Sequence, residues 1–434
     1  ELVDNYRIRD RIQFDSAVVE ARFDENQQWW RLTIADGRTV TARHIISATG
    51  VLNKPQPPDI PGLDRFTGIT MHTARWDHEV DLRGKRVGVI GTGASAVQLI
   101  PPVAEEAGHL TVFQRTPIWL LPKHDTAIPR WLQSGLKRVP GLQAATRLFS
   151  QTFVEIFPLS AHYSDLIPLA RFAERSCRAF LEKEIADPVL RAKLTPDYSF
   201  GCKRPTFSNE YLATFTRPDV TLETNAISEV TETGVRTIDG TEHDIDVLVL
   251  ATGFKVFEPD NMPPFPVVGR DDTELGAWWG KNRYQAYEGV SVPGFPNYFM
   301  VLGPYGYNGS SYFALIENQT RHIVRCLRHA EKLGATAVEV RPEANERFLA
   351  EMLGRRHRQV FYRGDCTRAN SYYFDAHGDV PFRPAPTLES NWRSARLDLD
   401  RDYRFHTPPP FPVQLPPQVL KTKKLESTVG STSS

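Results

Sequence analysis

Hydrophobic and polar positions change period several times along this chain, and each change predicts an element. Residues 17–34 alternate, first through Val19, Ala21 and Phe23 and then through Trp30, Leu32 and Ile34, which predicts two strands. Asp36-Gly37 supplies a turn into a third strand over 38–48, ending in His44-Ile-Ile-Ser-Ala48-Thr49-Gly50. Pro55, Pro57, Pro58 and Pro61 predict an extended linker. Residues 84–90 then read as a short buried strand, a glycine loop opens a helix to about Ala107, and residues 110–114 form the next strand. That is one βαβ unit, with the right-handed crossover such units adopt.

From about 128 to 200 the period is helical, as over 144–157 and 169–181, and the segment reads as a helical insertion. The amphipathic stretch 141–157 is expected to be a lid or core helix, with membrane contact the weaker reading. Strands resume over 220–223 and 246–250, the latter leading into Ala251-Thr252-Gly253-Phe254. Residues 405–434 carry Pro408-Pro-Pro410 and a Ser/Thr/Lys-rich end, and a disordered tail is expected there.

Composition narrows the classes. The 434 residues are 41% hydrophobic and 24% charged, ordinary values with room for two to three cores. Fifty-two basic residues balance fifty-two acidic ones, so nothing in the overall charge points to nucleic acid or an anionic membrane. Cys177, Cys202, Cys326 and Cys366 are far apart with no CxxC pair, which predicts free thiols in a reducing compartment and neither a disulfide nor a metal site. No apolar run reaches the length of a membrane span and no signal peptide is read, so a cytoplasmic location without stable membrane insertion is expected.

The glycine loop is Gly91-Thr92-Gly93-Ala-Ser95-Ala96. Its first glycine suits a tight turn, its second lets backbone amides approach a pyrophosphate, and small Ala96 lets helix and strand pack closely. Thr92 and Ser95 add hydroxyl groups. The strand that follows ends in Arg115-Thr116, where folds of this kind that bind NAD place a carboxylate on the ribose. A guanidinium there suits a 2′-phosphate and predicts NADPH as the ligand.

Upstream, Phe66-Thr-Gly68-Ile-Thr-Met-His72-Thr-Ala-Arg-Trp76-Asp77 matches FxGxxxHxxxW[P/D] at every defined position. With the glycine loop and the two triplets Ala48-Thr49-Gly50 and Ala251-Thr252-Gly253, this resembles type I Baeyer–Villiger monooxygenases, over roughly residues 15–400. The resemblance implies an α/β fold of two dinucleotide-binding, Rossmann-like domains. The expected layout is a partial FAD domain over 1–80, an NADP domain over 81–127 and 201–245, the helical insertion over 128–200 and the second part of the FAD domain over 246–404. Both triplets would lie near bound nucleotide. The signature is expected in the linker between domains, with His72 coupling domain motion to catalysis.

Gly201-Cys-Lys203-Arg204-Pro205 resembles the family stretch that supplies the catalytic arginine, here Arg204, and a lysine for the 2′-phosphate, here Lys203. A guanidinium fits a site that must hold negative charge without surrendering a proton. Residues 292–304 resemble the segment that passes the flavin ring, and residues 366–373 a CxSWY-like element in which Tyr372 replaces the tryptophan. No glycine loop for FAD precedes the signature, so an N-terminally truncated sequence is expected, with the family's active-site aspartate upstream of Glu1. The implied activity is NADPH- and FAD-dependent insertion of one atom of O2 beside a ketone carbonyl, through a C4a-peroxyflavin. An N- or S-oxygenating enzyme acting on an amine or sulfide, and a non-catalytic NADP-binding module, are the rivals.

Overall fold

The computed structural model describes residues 2–123, 125–163, 169–362, 364–369 and 371–407. Five parallel strands form its largest sheet, in the spatial order Val220–Glu223, His109–Phe113, Arg86–Ile90, Val247–Leu250 and Ile69–His72. These strands are short runs of apolar residues, and Val87, Val89, Leu110, Val112, Val247 and Val249 are buried, as a sheet covered on both faces requires. The helix Ala94–Glu106 crosses between Arg86–Ile90 and His109–Phe113 and buries Ala96, Val97, Ile100, Val103 and Ala104. The strand order reverses beside Arg86–Ile90, so the loops leaving Ile90 and Leu250 sit side by side at the carboxyl edge, where open α/β sheets bind ligands.

The signature occupies an unexpected place. Ile69–His72 is not free linker but the edge strand of that sheet, paired in parallel with Val247–Leu250. Its alternation is too short to be read as a strand. Phe66 packs against the cluster around Ile90 and Phe113, Trp76 packs on the opposite core, and a side chain at Gly68 would meet the Asp246 carbonyl at 2.6 Å. Most of the signature is therefore packing.

The other half opens with the antiparallel meander Val18–Asp24, Trp29–Ile34 and Thr39–Ala42, extended by Val267–Val268 beside the first strand. The third predicted strand splits. It leaves the meander after Ala42, resumes as Ile45–Ser47, and pairs in parallel with Tyr298–Met300. The mostly exposed Thr39–Ala42 segment forms the meander's edge, whereas Ile45–Ser47 must approach the core around Tyr298. Lys54–Pro55 and Phe254–Lys255 pair antiparallel, so the two connections between the halves run as one ribbon.

The insertion comprises helices Arg130–Arg138, Leu142–His162, Leu169–Glu184 and Pro188–Leu194. It bridges both cores: Leu181, Ile185 and Leu194 join the cluster under the five-stranded sheet, while Ala161 and Cys177 join the cluster around Trp30 and Trp279. Tyr403–His406 pairs with Ala337–Val340, so order extends past residue 405. The rest of the expected tail, 408–434, lies outside the described residues. No helix among the described residues is long and apolar enough to cross a membrane.

Candidate active site

The glycine loop is shaped for close backbone approach. Gly91 has φ +116°, and a Cβ there would meet the Ala251 carbonyl oxygen at 2.4 Å, so only glycine fits between the two loops. A Cβ on Gly93 would meet nothing within 4 Å, and Gly93 caps the helix Ala94–Glu106 without any side-chain hydrogen bond. The first amides of that helix are thus left without a side-chain cap beside open space, the arrangement that receives an anion. Ala96 is fully buried and Ser95 half-buried in the first turn. Thr92 donates its hydroxyl to the Thr116 carbonyl at 2.7 Å, pinning the loop to the end of the neighbouring strand.

Cations gather at that strand end. Exposed Arg115 and buried Thr116 line a cleft of about 330 Å³ together with Lys193, Asp197 and Arg368. Lys203 lies nearby, its ammonium 5.7 Å from the ring centre of Tyr198. Burial, and then the charge of Arg115, push the Lys203 amine down to about 8. An anion between the two would relieve that repulsion. Lys193 and Arg368 could not be read from sequence as members of this group, because they arrive from the insertion and from the distant 364–369 segment.

The two triplets end Ile45–Ser47 and Val247–Leu250. Gly50 and Gly253 take left-handed backbones, φ +72° and +84°. Ala48 and Thr49 are exposed, and Ala251 bonds through its amide to the Ile90 carbonyl at 2.9 Å. Thr252 donates its hydroxyl to the Gln56 carbonyl, while the Gln56 amide donates to Gly253 at 2.9 Å. His72 stands against this crossing: its Nδ1 accepts from the Ala74 amide at 3.1 Å, and its ring meets Phe254 edge-on. Its Nε2 is buried with no hydrogen-bond partner among the described residues. Burial lowers its pKa against the pull of the nearby Gly253 carbonyl, with Arg75 adding to the lowering.

Arg204 faces a different environment. No carboxylate pairs with it among the described residues; its electrostatic neighbours are the phenols of Tyr307, Tyr373, Tyr312 and Tyr372. Burial works against its charge, but the net displacement is upward, so the guanidinium remains a cation. The surrounding rings form one assembly: Tyr307 stacks on Tyr312 with centroids 4.8 Å apart and meets Phe382 at 5.0 Å, while Tyr373 meets Phe382 at 4.8 Å and Tyr372 at 4.6 Å. Tyr372, standing where the family pattern has tryptophan, keeps an aromatic face in the group.

The four cysteines are not all free thiols, contrary to the expectation from their spacing. Cys202 and Cys366 form a disulfide across 164 residues of sequence, a pairing that spacing rules cannot see. It ties the Lys203-Arg204 arm to the arm that carries Tyr372 and Tyr373, and the Ser199 amide adds a hydrogen bond to Asp365 at 3.1 Å. Cys177 and Cys326 stay free and buried, and burial pushes both thiols up to about 12. Thiol titration of the denatured, unreduced protein should therefore count two thiols per chain, and four after reduction; four before reduction would refute the pairing.

A second feature escaped sequence reading altogether. Glu288 is buried, its carboxylate 2.8 Å from Arg383 and 3.2 Å from Arg393. Burial alone would raise its pKa, but the two guanidinium groups outweigh it and hold the carboxyl below its ordinary range. Arg383 also donates to the Tyr305 carbonyl at 3.0 Å, and Gln319 clamps the same loop, accepting from Leu302 at 2.6 Å and donating to Gly306 at 2.7 Å. Leu302 and Tyr305 have φ +61° and +60°, strain that this surrounding network holds in place. The loop delivers Tyr307 and then the helix Tyr312–Leu333, whose N-terminus has no side-chain cap.

A profile of the pyridine nucleotide-disulphide oxidoreductase family matches residues 5–147. A Baeyer–Villiger monooxygenase of Streptomyces coelicolor is 38% identical over 423 residues, covering 95% of this chain and 78% of that protein. Among solved structures, OTEMO in complex with FAD and NADP superposes with a TM-score of 0.79 at 26% identity, covering 93% of this chain and 82% of that one. The closed form of cyclohexanone monooxygenase superposes with a TM-score of 0.81 at 28% identity, covering 94% and 83%.

Proposed function

This chain belongs to the Baeyer–Villiger monooxygenase family, and on that premise we propose that it uses NADPH, FAD and O2 to insert one oxygen atom beside the carbonyl of a small ketone. Ketone, O2, NADPH and a proton give ester or lactone, NADP⁺ and water. Bound FAD supplies the two-electron relay and the activation of oxygen. The residues fit the nicotinamide nucleotide: Gly91 leaves no room for a Cβ, the helix behind Gly93 has no side-chain cap, and the charge of Arg115 bears on the amine of Lys203.

In this reading Gly91, Gly93, Ser95 and Ala96 receive the pyrophosphate of NADPH, and Thr92 holds their loop against Thr116. Arg115 and Lys203 hold the 2′-phosphate, with Lys193 and Arg368 adding to the positive field of the cleft. Ala48, Thr49, Gly50, Ala251, Thr252 and Gly253 form the edges that FAD and NADPH approach. His72 is a positioning residue: it joins the edge strand of one half to the returning ribbon. Arg204 is the catalytic residue, a permanent cation that stabilises negative charge on the reacting oxygen and cannot quench it by proton transfer. Buried Tyr373 and Phe382 give the group an apolar side that suits an apolar ketone.

The observation that carries this reading is the guanidinium of Arg204 within a ring of phenols, with no carboxylate paired to it among the described residues. The purified protein, supplied with FAD, NADPH and ¹⁸O₂, is given cyclohexanone and a thioether in parallel. The expected product is the lactone carrying one ¹⁸O, formed only with NADPH present. Sulfoxide without lactone would sink the ketone assignment, and no labelled product from either would sink the monooxygenase reading of these residues.

A further inference from the structure

We propose that helices Arg130–Arg138 and Leu142–His162 form a docking face for an anionic membrane surface, on which the protein lies without spanning it. Helix Leu142–His162 has two unlike sides. Inward, Gln151 donates to Ser310 at 3.1 Å, Glu155 accepts from Ser310 at 3.1 Å, and buried His162 meets the Asn308 carbonyl at 2.8 Å. Outward, Leu148, Phe149, Phe153 and Ile156 recur at the spacing of one helix face and are exposed, Phe149 by 77% and Phe153 by 58%. Trp131 on the preceding helix is 73% exposed, and the two helices meet where Gly135 approaches Leu142. Large apolar side chains grouped on one outward face mark an interaction surface rather than scattered exposure.

Charge selects the occupant. Residues 126–154 contain Arg130, Lys137, Arg138 and Arg147 and no Asp or Glu, in a chain whose charges balance overall. Arg147 pairs with Glu317 at 2.6 Å, but Arg130, Lys137 and Arg138 have no carboxylate partner among the described residues. An aromatic and aliphatic face edged by unpaired cations is the signature of a helix lying in a lipid headgroup layer. A second copy fits less well: a two-fold contact would set Arg130, Lys137 and Arg138 against a face whose own cations likewise lack carboxylate partners among the described residues, Arg147 with Glu317 excepted. A swinging lid fits less well too, because the inward bonds fasten the helix to the loop that carries Tyr307 and Tyr312.

Those bonds also place the docking face over the aromatic site, so the substrates it favours are apolar ketones dissolved in the bilayer. That substrate clause rests on the proposed oxygenation; the docking does not.

The test is co-sedimentation of the full chain with vesicles of phosphatidylcholine containing about one-third phosphatidylglycerol, against phosphatidylcholine alone. Binding to the anionic vesicles is expected to be at least about tenfold tighter, to weaken in high salt, and to fall about tenfold in Phe149→Ser/Phe153→Ser and in Lys137→Glu/Arg138→Glu. Unchanged melting temperature and NADPH consumption in buffer would show that these variants are folded. Equal binding to both vesicles, no binding, or a dimer that Phe149→Ser dissolves would overturn the proposal. Loss of docking with lactone formation intact would count against the membrane face alone; docking without any oxygenation would count against the function alone.

Discussion

Replacing Arg204 by Ala should lower lactone or ester formation by about two to three orders of magnitude, while NADPH is still consumed and hydrogen peroxide is released. The size follows from what a single well-placed charge contributes to a reaction that develops negative charge on oxygen, roughly 10²–10³ in rate. The persistence of NADPH consumption is expected because the electrostatic neighbours of Arg204 are the phenols of Tyr307, Tyr373, Tyr312 and Tyr372, whereas Arg115 bears on Lys203. Lysine should rescue poorly. An ammonium is a point charge that loses its proton when desolvated, and neighbouring Lys203 shows the local tendency, its amine already at about 8. Product formation by Arg204→Ala within about threefold of the parent would remove Arg204 from the mechanism.

How far the sequence discloses this site depends on how local each part is. The Arg86–Ile90 strand, the glycine loop and the helix Ala94–Glu106 are legible because a single βαβ unit sets its own hydrogen bonds and packing within thirty or so residues. The helical insertion is legible for the same reason, but not which face of Leu142–His162 is covered, since that is decided by Asn308 and Ser310 far along the chain. The Cys202–Cys366 bond, the Glu288–Arg383–Arg393 group and the approach of Arg368 to Arg115 all join segments separated by many residues, and no period or spacing announces them. The signature shows the reverse limit. Its pattern is easy to see, yet its meaning changes once Phe66, Gly68 and Trp76 prove to be packing residues, leaving His72, whose ring meets the Ala74 amide and Phe254, as the residue set at the crossing between the halves.

The Arg115→Ala/Lys203→Ala variant should bind NADPH no better than NADH, its KM for NADPH rising about a hundredfold while that for NADH moves little. Hydrogen bonds to charged groups contribute roughly 1.5–3 kcal/mol each, and the exposure of Arg115 cuts its share to about 1 kcal/mol, so about 2.7 kcal/mol for the pair is a restrained total. Lys203 further predicts a pH dependence of definite sign. The bound partner is a phosphate that is dianionic above about pH 6, and it prefers the protonated amine. In the free protein that amine loses its proton near 8, because burial and Arg115 both disfavour its charge. KM for NADPH should therefore be flat from about pH 6.5 to 7.5 and climb about tenfold by about pH 9.5, with KM for NADH level throughout. Arg115→Ala alone should raise KM for NADPH but move the climb to higher pH, since it removes one of the two causes that depress the amine. A ratio of the two KM values that stays constant across this range in the parent protein would exclude Lys203 from the 2′-phosphate site. A climb that stays put in Arg115→Ala would show instead that burial alone sets the pKa of Lys203.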